Sequence, residues 1–221
     1  MKRDKSTPTP WLYGGIPEGG RLKKKVTRKP LVLPSQSQVE ALFTAMEHNG
    51  SVGGGGAEAA DFCRFLLRTG ARVGEVAKTT WECVRWDQSE VYLPGYKTES
   101  SARCIPLFAR LAELLKRVQE RRLSAARYHP EGKTYLGATD AIFRIKDCQR
   151  TIDAACKRIG IARITHHDFR HLFVTGCIEA KVPIPTIAAW LGHNDGGVLV
   201  MKTYGHLRPE HSQAAGLNVN F

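Results

Sequence analysis

Apolar residues recur at helical spacing where the chain first shows a regular pattern. Ser35 or Ser37 precedes this pattern and can cap a helix, and Asn49-Gly50 ends it. The apolar positions fall at i, i+3, i+4 and i+7, and they are Val39, Leu42, Phe43 and Met46. This spacing predicts a helix with one buried face.

Several further helices are predicted after the first. The glycine run 53–56 is expected to form a flexible loop, and it lacks the Gly-Lys-Ser/Thr sequence of a phosphate-binding loop. A helix over 57–69 should follow and end at Gly70, and a shorter helix should pass through Glu75 and Val76. Apolar spacing predicts later helices over residues 111–127, 141–159, 167–180, 185–191 and 201–204.

Between Trp81 and Leu107 the apolar pattern changes to period two, which is typical of β-strands. Three short antiparallel strands are predicted around Val84 and Trp86, around 91–93, and around 104–105. Residues 95–100 should form the turn between the last two strands. The fold class predicted from these patterns is α+β, mainly helical, with a small antiparallel sheet of about three strands.

Positive charge is concentrated at the N-terminus. The chain carries 33 Lys and Arg against 21 Asp and Glu, and its formal net charge is +12. Residues 1–30 hold nine of the basic residues and two of the acidic ones. Such an excess suits a polyanionic partner, although a solvated basic tail is the alternative. We predict a flexible basic arm or linker over 1–30, a folded domain over 31–208 and a tail over 209–221.

Other classes of protein fit the sequence poorly. The charged N-terminus does not resemble a signal peptide, and no apolar run approaches the roughly 20 residues that span a bilayer. The six cysteines are scattered and contain no Cys-x-x-Cys pair. We therefore expect reduced, buried thiols and no zinc site built from them.

Four separated segments carry residues of related chemical kind. They are Thr69-Gly70-Ala71-Arg72-Val73-Gly74-Glu75, Lys97-Thr98 followed by Arg103-Cys104-Ile105-Pro106-Leu107, His167-Asp168-Phe169-Arg170-His171, and Leu191-Gly192-His193 leading to Thr203-Tyr204-Gly205-His206. The residues of these segments and their order along the chain resemble those of the tyrosine recombinases, particularly the integrases of phages and other mobile elements. The resemblance covers about 31–208 and implies an integrase-type catalytic domain. It also implies a site-specific recombinase that cleaves and rejoins DNA through a 3′-phosphotyrosyl link.

The resemblance assigns the central roles to two arginines and a tyrosine. Arg72 and Arg170 match the residues that bind the phosphodiester, and a planar guanidinium suits this task because it stays charged and can hold two oxygens. Tyr204 matches the nucleophile. A phenol with a pKa of about 10 is a poor nucleophile at neutral pH, so it requires cationic neighbours.

The remaining site residues follow from the same resemblance. Lys97, on a predicted turn, matches the general acid that protonates the departing 5′-oxygen. His167 and His193 match two histidines that donate hydrogen bonds to phosphate oxygens and handle the tyrosine proton. Glu75 resembles an acidic residue that orients the site, and an ion pair with a surface base is the alternative. His171 is expected to support or pack against the site.

No metal and no other cofactor is implied, because the arginines supply the positive charge. His167 and His171 have the i, i+4 spacing of a zinc-protease helix, but Arg170 would oppose a dication there. The implied partners are double-stranded DNA, further copies of the chain as a dimer or tetramer on DNA with the tail docking in trans, and accessory DNA-bending proteins. No membrane is implied. The implied location is the cytoplasm, in a bacterial or phage-encoded protein associated with the nucleoid.

The sequence departs from the family pattern in two places. Eleven positions separate His193 from Tyr204, which is longer than usual, and residues 195–197 are expected to absorb the extra length in a loop. The family's core-binding domain has no counterpart in the basic arm, whose candidate DNA-binding residues are Lys23, Lys24, Lys25, Arg28 and Lys29. We therefore expect weak, strongly salt-dependent DNA binding. The alternatives are an inactive DNA-binding remnant or regulator, and relaxation of DNA like that of a type IB topoisomerase.

Overall fold

The structure, a computed structural model, describes residues 33–48, 55–95, 101–127, 137–193 and 195–204. Within these ranges the protein has eight α-helices and three β-strands. The helices are α1 (Gln36–Glu47), α2 (Gly55–Thr69), α3 (Val73–Val76), α4 (Ala109–Arg127), α5 (Gln149–Ile159), α6 (His166–Glu179), α7 (Ile184–Leu191) and α8 (Val198–Tyr204). The strands are β1 (Val84–Arg85), β2 (Glu90–Leu93) and β3 (Arg103–Pro106). The predicted arm over 1–30 and tail over 209–221 lie outside the described residues.

The first two helices form largely as the sequence predicts. Ser35 caps α1, because its hydroxyl accepts a hydrogen bond from the Gln38 backbone N–H at 3.3 Å and the Gln38 side chain accepts one from the Ser35 N–H at 2.9 Å. The prediction of a loop over 53–56 was wrong for Gly55 and Gly56, which form the first turn of α2. Gly56 is buried there.

The three strands form one antiparallel sheet in the order β1-β2-β3. Val91 pairs with Val84 on one side and with Ile105 on the other, and all three are buried. The alternation of apolar residues therefore predicted the buried face correctly. A single 3₁₀ turn over Trp81–Cys83 precedes β1, and the prediction that placed Trp86 in the first strand was wrong, because β1 ends at Arg85. Trp86 lies beyond β1 and is exposed.

The predicted helix over 141–159 was wrong in its first half, since α5 begins only at Gln149. The preceding residues instead run along the segment that enters the sheet. The Trp81 N–H donates to the Asp140 carbonyl at 3.1 Å, and the Ile142 N–H donates to the Thr79 carbonyl at 3.1 Å. Ile142 and Phe143 are buried by this pairing. Tertiary hydrogen bonds have therefore replaced the local helical ones.

Helix α2 lies at the centre of the core and packs against α1, α4 and α6. Phe62 and Phe65 are fully buried, and both rings contact the ring of Phe143 edge-on. Phe43 of α1 stacks on Phe169 of α6 with ring centroids 5.9 Å apart. Helix α6 also packs directly on α2, and residues of the candidate site lie on α6 and in the turn that follows α2.

The cysteines were expected to be reduced and buried, and no segment was expected to span a bilayer. All six cysteines are free thiols, five of them are buried, and Cys104 is partly exposed. Among the described helices, none combines the length and the apolar character that crossing a membrane requires.

Candidate active site

Arg72 lies in the turn that follows α2. Gly70 adopts a φ of +60°, which turns the chain sharply after the last residue of the helix. Arg72 is then extended and caps α3, with its backbone N–H donating to Oε2 of Glu75 at 2.8 Å. Its Nη1 donates to Oε1 of Glu75 at 2.8 Å. The Arg72 side chain is 40% exposed, so part of the guanidinium remains available to a ligand.

Glu75 is fully buried beneath Arg72 and is shared with a second arginine. Nη2 of Arg103 donates to Oε2 of Glu75 at 2.9 Å. Burial alone would raise the pKa of the Glu75 carboxyl, but the hydrogen bonds and charge of Arg103, together with Arg72, hold that pKa below its usual range. Glu75 is therefore ionised, and its two partners are the buried Arg103 and the more exposed Arg72.

Arg170 comes from α6, and it is buried at 5% exposure. Its Nη1 donates to the Gly70 carbonyl, and its Nη2 donates to the Leu191 carbonyl at 2.9 Å. Burial and the like charges of Arg72 and Arg103 lower the pKa of Arg170 to about 9. Because this value is above 7, the guanidinium remains charged at neutral pH. Arg170 thereby connects the turn after α2 to the end of α7.

His193 lies beside Arg170, just after α7. Gly192 ends that helix at a φ of +66°, and the His193 N–H donates to the Ala188 carbonyl at 3.0 Å. Nη2 of Arg170 approaches Nε2 of His193 at 3.1 Å. Since a guanidinium can only donate, Nε2 is the acceptor and the proton of the neutral ring lies on Nδ1. This buried Nδ1 has no hydrogen-bond partner among the described residues, so it is a free donor within that part of the chain.

His167 and His171 share a face of α6 with Arg170, because they lie at i, i+3 and i+4. The start of this helix is fixed by Thr165, whose backbone N–H and hydroxyl donate to Oδ2 of Asp168 at 2.7 and 2.8 Å. The rings of His167 and His171 meet edge to face with centroids 4.6 Å apart. Burial lowers the pKa of both imidazoles, with Arg170 adding to this effect at His167 and His167 at His171.

Helix α8 brings Tyr204 to these histidines. The Tyr204 hydroxyl forms a hydrogen bond with Nδ1 of His171, and the side chain is buried at 6% exposure. Burial raises the pKa of the Tyr204 phenol to about 12, although the charge of Arg170 opposes this rise. Residues 195–197 absorb the extra length before α8 as expected, and the Asp195 carboxylate accepts the N–H groups of Gly197 and Leu199 at 3.0 and 2.9 Å.

Two sets of sequence-predicted residues therefore meet in one region. Arg72, Arg170 and His193 form one set, and His167, His171 and Tyr204 form the other, with α6 contributing to both. Lys97 lies outside the described residues, as do the candidate DNA-binding residues of the arm. Within the described chain, no group of His, Cys, Asp or Glu side chains could hold a metal ion.

Sequence reasoning missed Arg103, and a signal for it was present. Arg103 and Ile105 alternate on β3 toward the same buried side of the sheet. A charged residue at an inward position requires a buried partner. His166, which precedes the site on α6, contacts other groups: its Nε2 lies 3.3 Å from Sγ of Cys148, and its ring meets Phe62 edge-on.

Comparison with known proteins identifies the class. Residues 35–211 match the phage integrase family, and the chain belongs to that family. The ICEBs1 integrase of Bacillus subtilis strain 168 is 27% identical over an alignment of 171 residues, and the match covers 67% of this chain and 45% of the relative. This chain therefore spans less than half the length of that curated relative.

Solved structures show the same fold. The Tn1549 transposon integrase, determined in complex with transposon right-end DNA, has a TM-score of 0.66 at 17% identity, over 87% of this chain and 68% of that one. The XerA recombinase has a TM-score of 0.60 at 21% identity, over 85% and 66%. The catalytic domain of bacteriophage HP1 integrase has a TM-score of 0.57 at 19% identity, over 84% and 93%. The predicted integrase-type α+β fold is thereby confirmed.

The close packing at Gly192 gives a stability prediction with a matched control. A Cβ at Gly192 would lie 2.8 Å from the Ser101 carbonyl oxygen, whereas one at Gly160 would have no described atom within 4 Å. Both glycines end a helix at positive φ. Gly160→Ala should cost about 1–2 kcal/mol from backbone strain, and Gly192→Ala should cost about 1–3 kcal/mol more. Urea unfolding measures both, and equal losses would contradict the close packing.

The lowered pKa values of the site histidines predict a pH dependence of stability. Burial first, and then neighbouring positive charge, lowers the pKa of His167 and His193. The unfolded chain therefore binds protons more readily, and the free energy of unfolding should fall as the pH drops through about 6.5. Thermal unfolding between pH 8 and 5 measures this. A His167→Gln, His193→Gln double variant should show a shallower fall, and an unchanged slope would refute the assignment.

Proposed function

We propose that this protein is a site-specific DNA recombinase, an integrase that cleaves and rejoins DNA through a 3′-phosphotyrosyl intermediate on Tyr204. Its membership of the phage integrase family supports this function. The observation that carries the proposal is the convergence of Arg72, Arg170 and His193 beside the phenol-bearing end of α8. The function serves DNA integration and recombination.

The two arginines bind the scissile phosphate in this proposal. Arg72 offers the exposed part of its guanidinium, since Glu75 occupies Nη1 and the backbone N–H. Arg170 is held from behind by two backbone carbonyls, so its position does not depend on the ligand. Fixed donors aimed at a phosphorus centre stabilise the charge that develops on the non-bridging oxygens during attack. His193 approaches Arg170 through Nε2 at 3.1 Å and so helps to hold that guanidinium in place.

Tyr204 supplies the nucleophile. Its oxygen attacks phosphorus, its proton passes to the imidazole of His171 or His167, and the bond to the 5′-oxygen breaks. Lys97 protonates that 5′-oxygen as it leaves. The neutral imidazoles suit the role of proton acceptor, because burial lowers the pKa of both. The reverse sequence, with a 5′-hydroxyl attacking the phosphotyrosine, rejoins a strand.

In this proposal the positive charges of Arg72 and Arg170 offset the negative charge of the DNA phosphate. With its hydroxyl bonded to His171 and its pKa near 12, Tyr204 is a neutral phenol in this state. Attack requires the hydroxyl to lose its proton and reach the phosphorus. A bound phosphate would assist by bringing Arg72 and Arg170 to the same oxygens, which places two positive charges beside the developing phenolate.

Double-stranded DNA is the proposed substrate and partner. The Tn1549 transposon integrase, which shares the fold, was determined in complex with DNA. The basic arm over 1–30, with Lys23, Lys24, Lys25, Arg28 and Lys29, would add phosphate contacts. We also propose that the chain acts in the cytoplasm, near the nucleoid, as a dimer or tetramer on DNA whose tails dock in trans, and with accessory DNA-bending proteins.

A covalent adduct tests the nucleophile directly. Incubation with a nicked suicide substrate should yield a denaturation-resistant protein–DNA band, because the departing strand diffuses away and rejoining stops. Tyr204→Phe should abolish the band, since the variant lacks only the attacking oxygen. Tyr92→Phe, on β2, is the matched control and should leave the band intact. An adduct that persists in Tyr204→Phe would exclude this nucleophile, and no adduct with the wild type would favour an inactive DNA-binding remnant.

A pair of arginines tests the phosphate-binding role. Arg72 and Arg85 are each bonded to one glutamate, and their side chains are 40% and 42% exposed. Arg72→Ala should slow adduct formation by about 10²–10³-fold, the usual effect of losing one donor to the transition state. Arg85→Ala should change the rate by less than about threefold, because surface ion pairs contribute little. Equal rates in the two variants, measured in single turnover, would contradict the role of Arg72.

A further inference from the structure

Arg103 is a third buried arginine at the site, and it has no part in the proposed reaction so far. It opens β3, and its side chain is 6% exposed. Three different acceptors hold its guanidinium: Nη1 donates to the Ser101 carbonyl at 3.0 Å, Nε donates to the Trp190 carbonyl, and Nη2 donates to Oε2 of Glu75 at 2.9 Å. Each of its three nitrogens therefore already donates to an acceptor within the protein, which leaves none of them directed at a ligand.

The three acceptors belong to three different parts of the candidate site. Glu75 holds Arg72 through Oε1 and through the Arg72 N–H. Trp190 lies in the last turn of α7, immediately before Leu191, whose carbonyl accepts from Arg170. Ser101 follows directly on residues 96–100, the segment that includes Lys97. Arg103 therefore bonds to the partner of Arg72, to the residue beside the partner of Arg170, and to the residue that follows the segment of Lys97.

The geometry at Glu75 shows how Arg103 can act on Arg72. Nη2 of Arg103 occupies Oε2, so Oε1 is left to a single Nη1 contact with Arg72. Without Arg103, the carboxylate could turn and form two parallel bonds with the Arg72 guanidinium, as carboxylates commonly do with arginine. Such pairing would draw Arg72 inward and occupy donors that a phosphate requires. The charge of Arg103 also offsets that of Glu75, so the carboxylate repels an incoming phosphate less.

We propose that Arg103 is a positioning residue for DNA strand cleavage, which acts through Glu75 to hold Arg72 toward the scissile phosphate. The inference rests on the proposed function. Arg103 itself touches neither the phosphate nor the tyrosine. Its bonds to Ser101 and Trp190 fix the guanidinium in place, and its bond to Glu75 transmits that fixed position to Arg72. A lysine cannot replace it, because one ammonium cannot reproduce the planar set of three directed donors.

A double-mutant cycle with Glu75 tests the inference. Arg103→Lys keeps the positive charge and should slow single-turnover adduct formation at saturating DNA by about 10- to 100-fold, the range that a displaced catalytic group produces. DNA affinity, measured by anisotropy, should change by less than about threefold. Glu75→Gln should slow the reaction similarly. The double variant should be no slower than the slower single variant, because Arg103 acts on Arg72 only through the Glu75 carboxylate, which Glu75→Gln removes.

Arg122 supplies the matched control. It is a partly buried arginine of α4 whose Nη1 donates to the carbonyls of Ala141 and Ile142 at 2.7 and 3.1 Å, so it also ties distant backbone segments together. Arg122→Lys should leave the cleavage rate within about threefold of wild type, even where it lowers the melting temperature. The inference is overturned if the double variant loses rate by the product of the two single losses. It is also overturned if Arg103→Lys leaves the cleavage rate unchanged. A wild type that forms no adduct would instead refute the proposed function.

A second measurement needs no catalysis. The depressed pKa of Glu75 stabilises the fold above its usual titration range, and that stabilisation is lost as the pH falls through the folded-state pKa. Arg103→Met removes the residue that does most to lower the pKa of Glu75. The melting temperature of this variant should therefore fall furthest below that of the wild type near pH 7, and the difference should narrow toward pH 4. Arg103→Lys should show the same trend on a smaller scale. A deficit that does not vary with pH in either variant would show that Arg103 does not act through Glu75.

Discussion

Three guanidiniums converge on one buried carboxylate, and the rest of the site depends on this arrangement. Arg72 and Arg103 both bond to Glu75, while burial first, and then the charges of Arg72 and Arg103, lower the pKa of the nearby Arg170. Removing one member of a buried ion pair commonly lowers the free energy of unfolding by about 3–5 kcal/mol, because the remaining charge is left without a partner. Since the positive charges outnumber the carboxylate among these four groups, the region remains attractive to an anion.

Backbone carbonyls accept hydrogen bonds from the buried arginines that the single carboxylate cannot accept. Gly70, Trp190 and Leu191 each present a carbonyl to a buried arginine, and two of these residues lie in the last turn of α7. Unpaired carbonyls are left over at every helix C-terminus, and the partial negative charge there favours cations. The protein thus holds Arg103 and Arg170 without adding further carboxylates, which would have reduced the attraction for phosphate.

The sequence predicted most of the fold because its signals are local. Helical spacing located α1, α2, α4 and α6 to within a few residues, and alternation located the three strands. It was wrong over 141–148, where hydrogen bonds to the chain around Thr79 and Trp81 override helix formation. Short sequence motifs indicated the candidate site residues. The bonds of Arg103 to Glu75 and Trp190 were not predicted, because they span 28 and 87 positions. No local pattern encodes contacts between residues so far apart.

The contact between Tyr204 and His171 connects the fold to the timing of the reaction. In this structure the Tyr204 hydroxyl of α8 bonds to His171 of α6 in the same chain. Burial keeps the phenol neutral, with a pKa near 12, while no phosphate is present. Two features therefore restrain the nucleophile, its protonation and its bond to His171. In the proposed reaction, a phosphate bound to the nearby arginines would supply favourable charge that offsets both, and attack would thereby be coupled to correct binding of the phosphate.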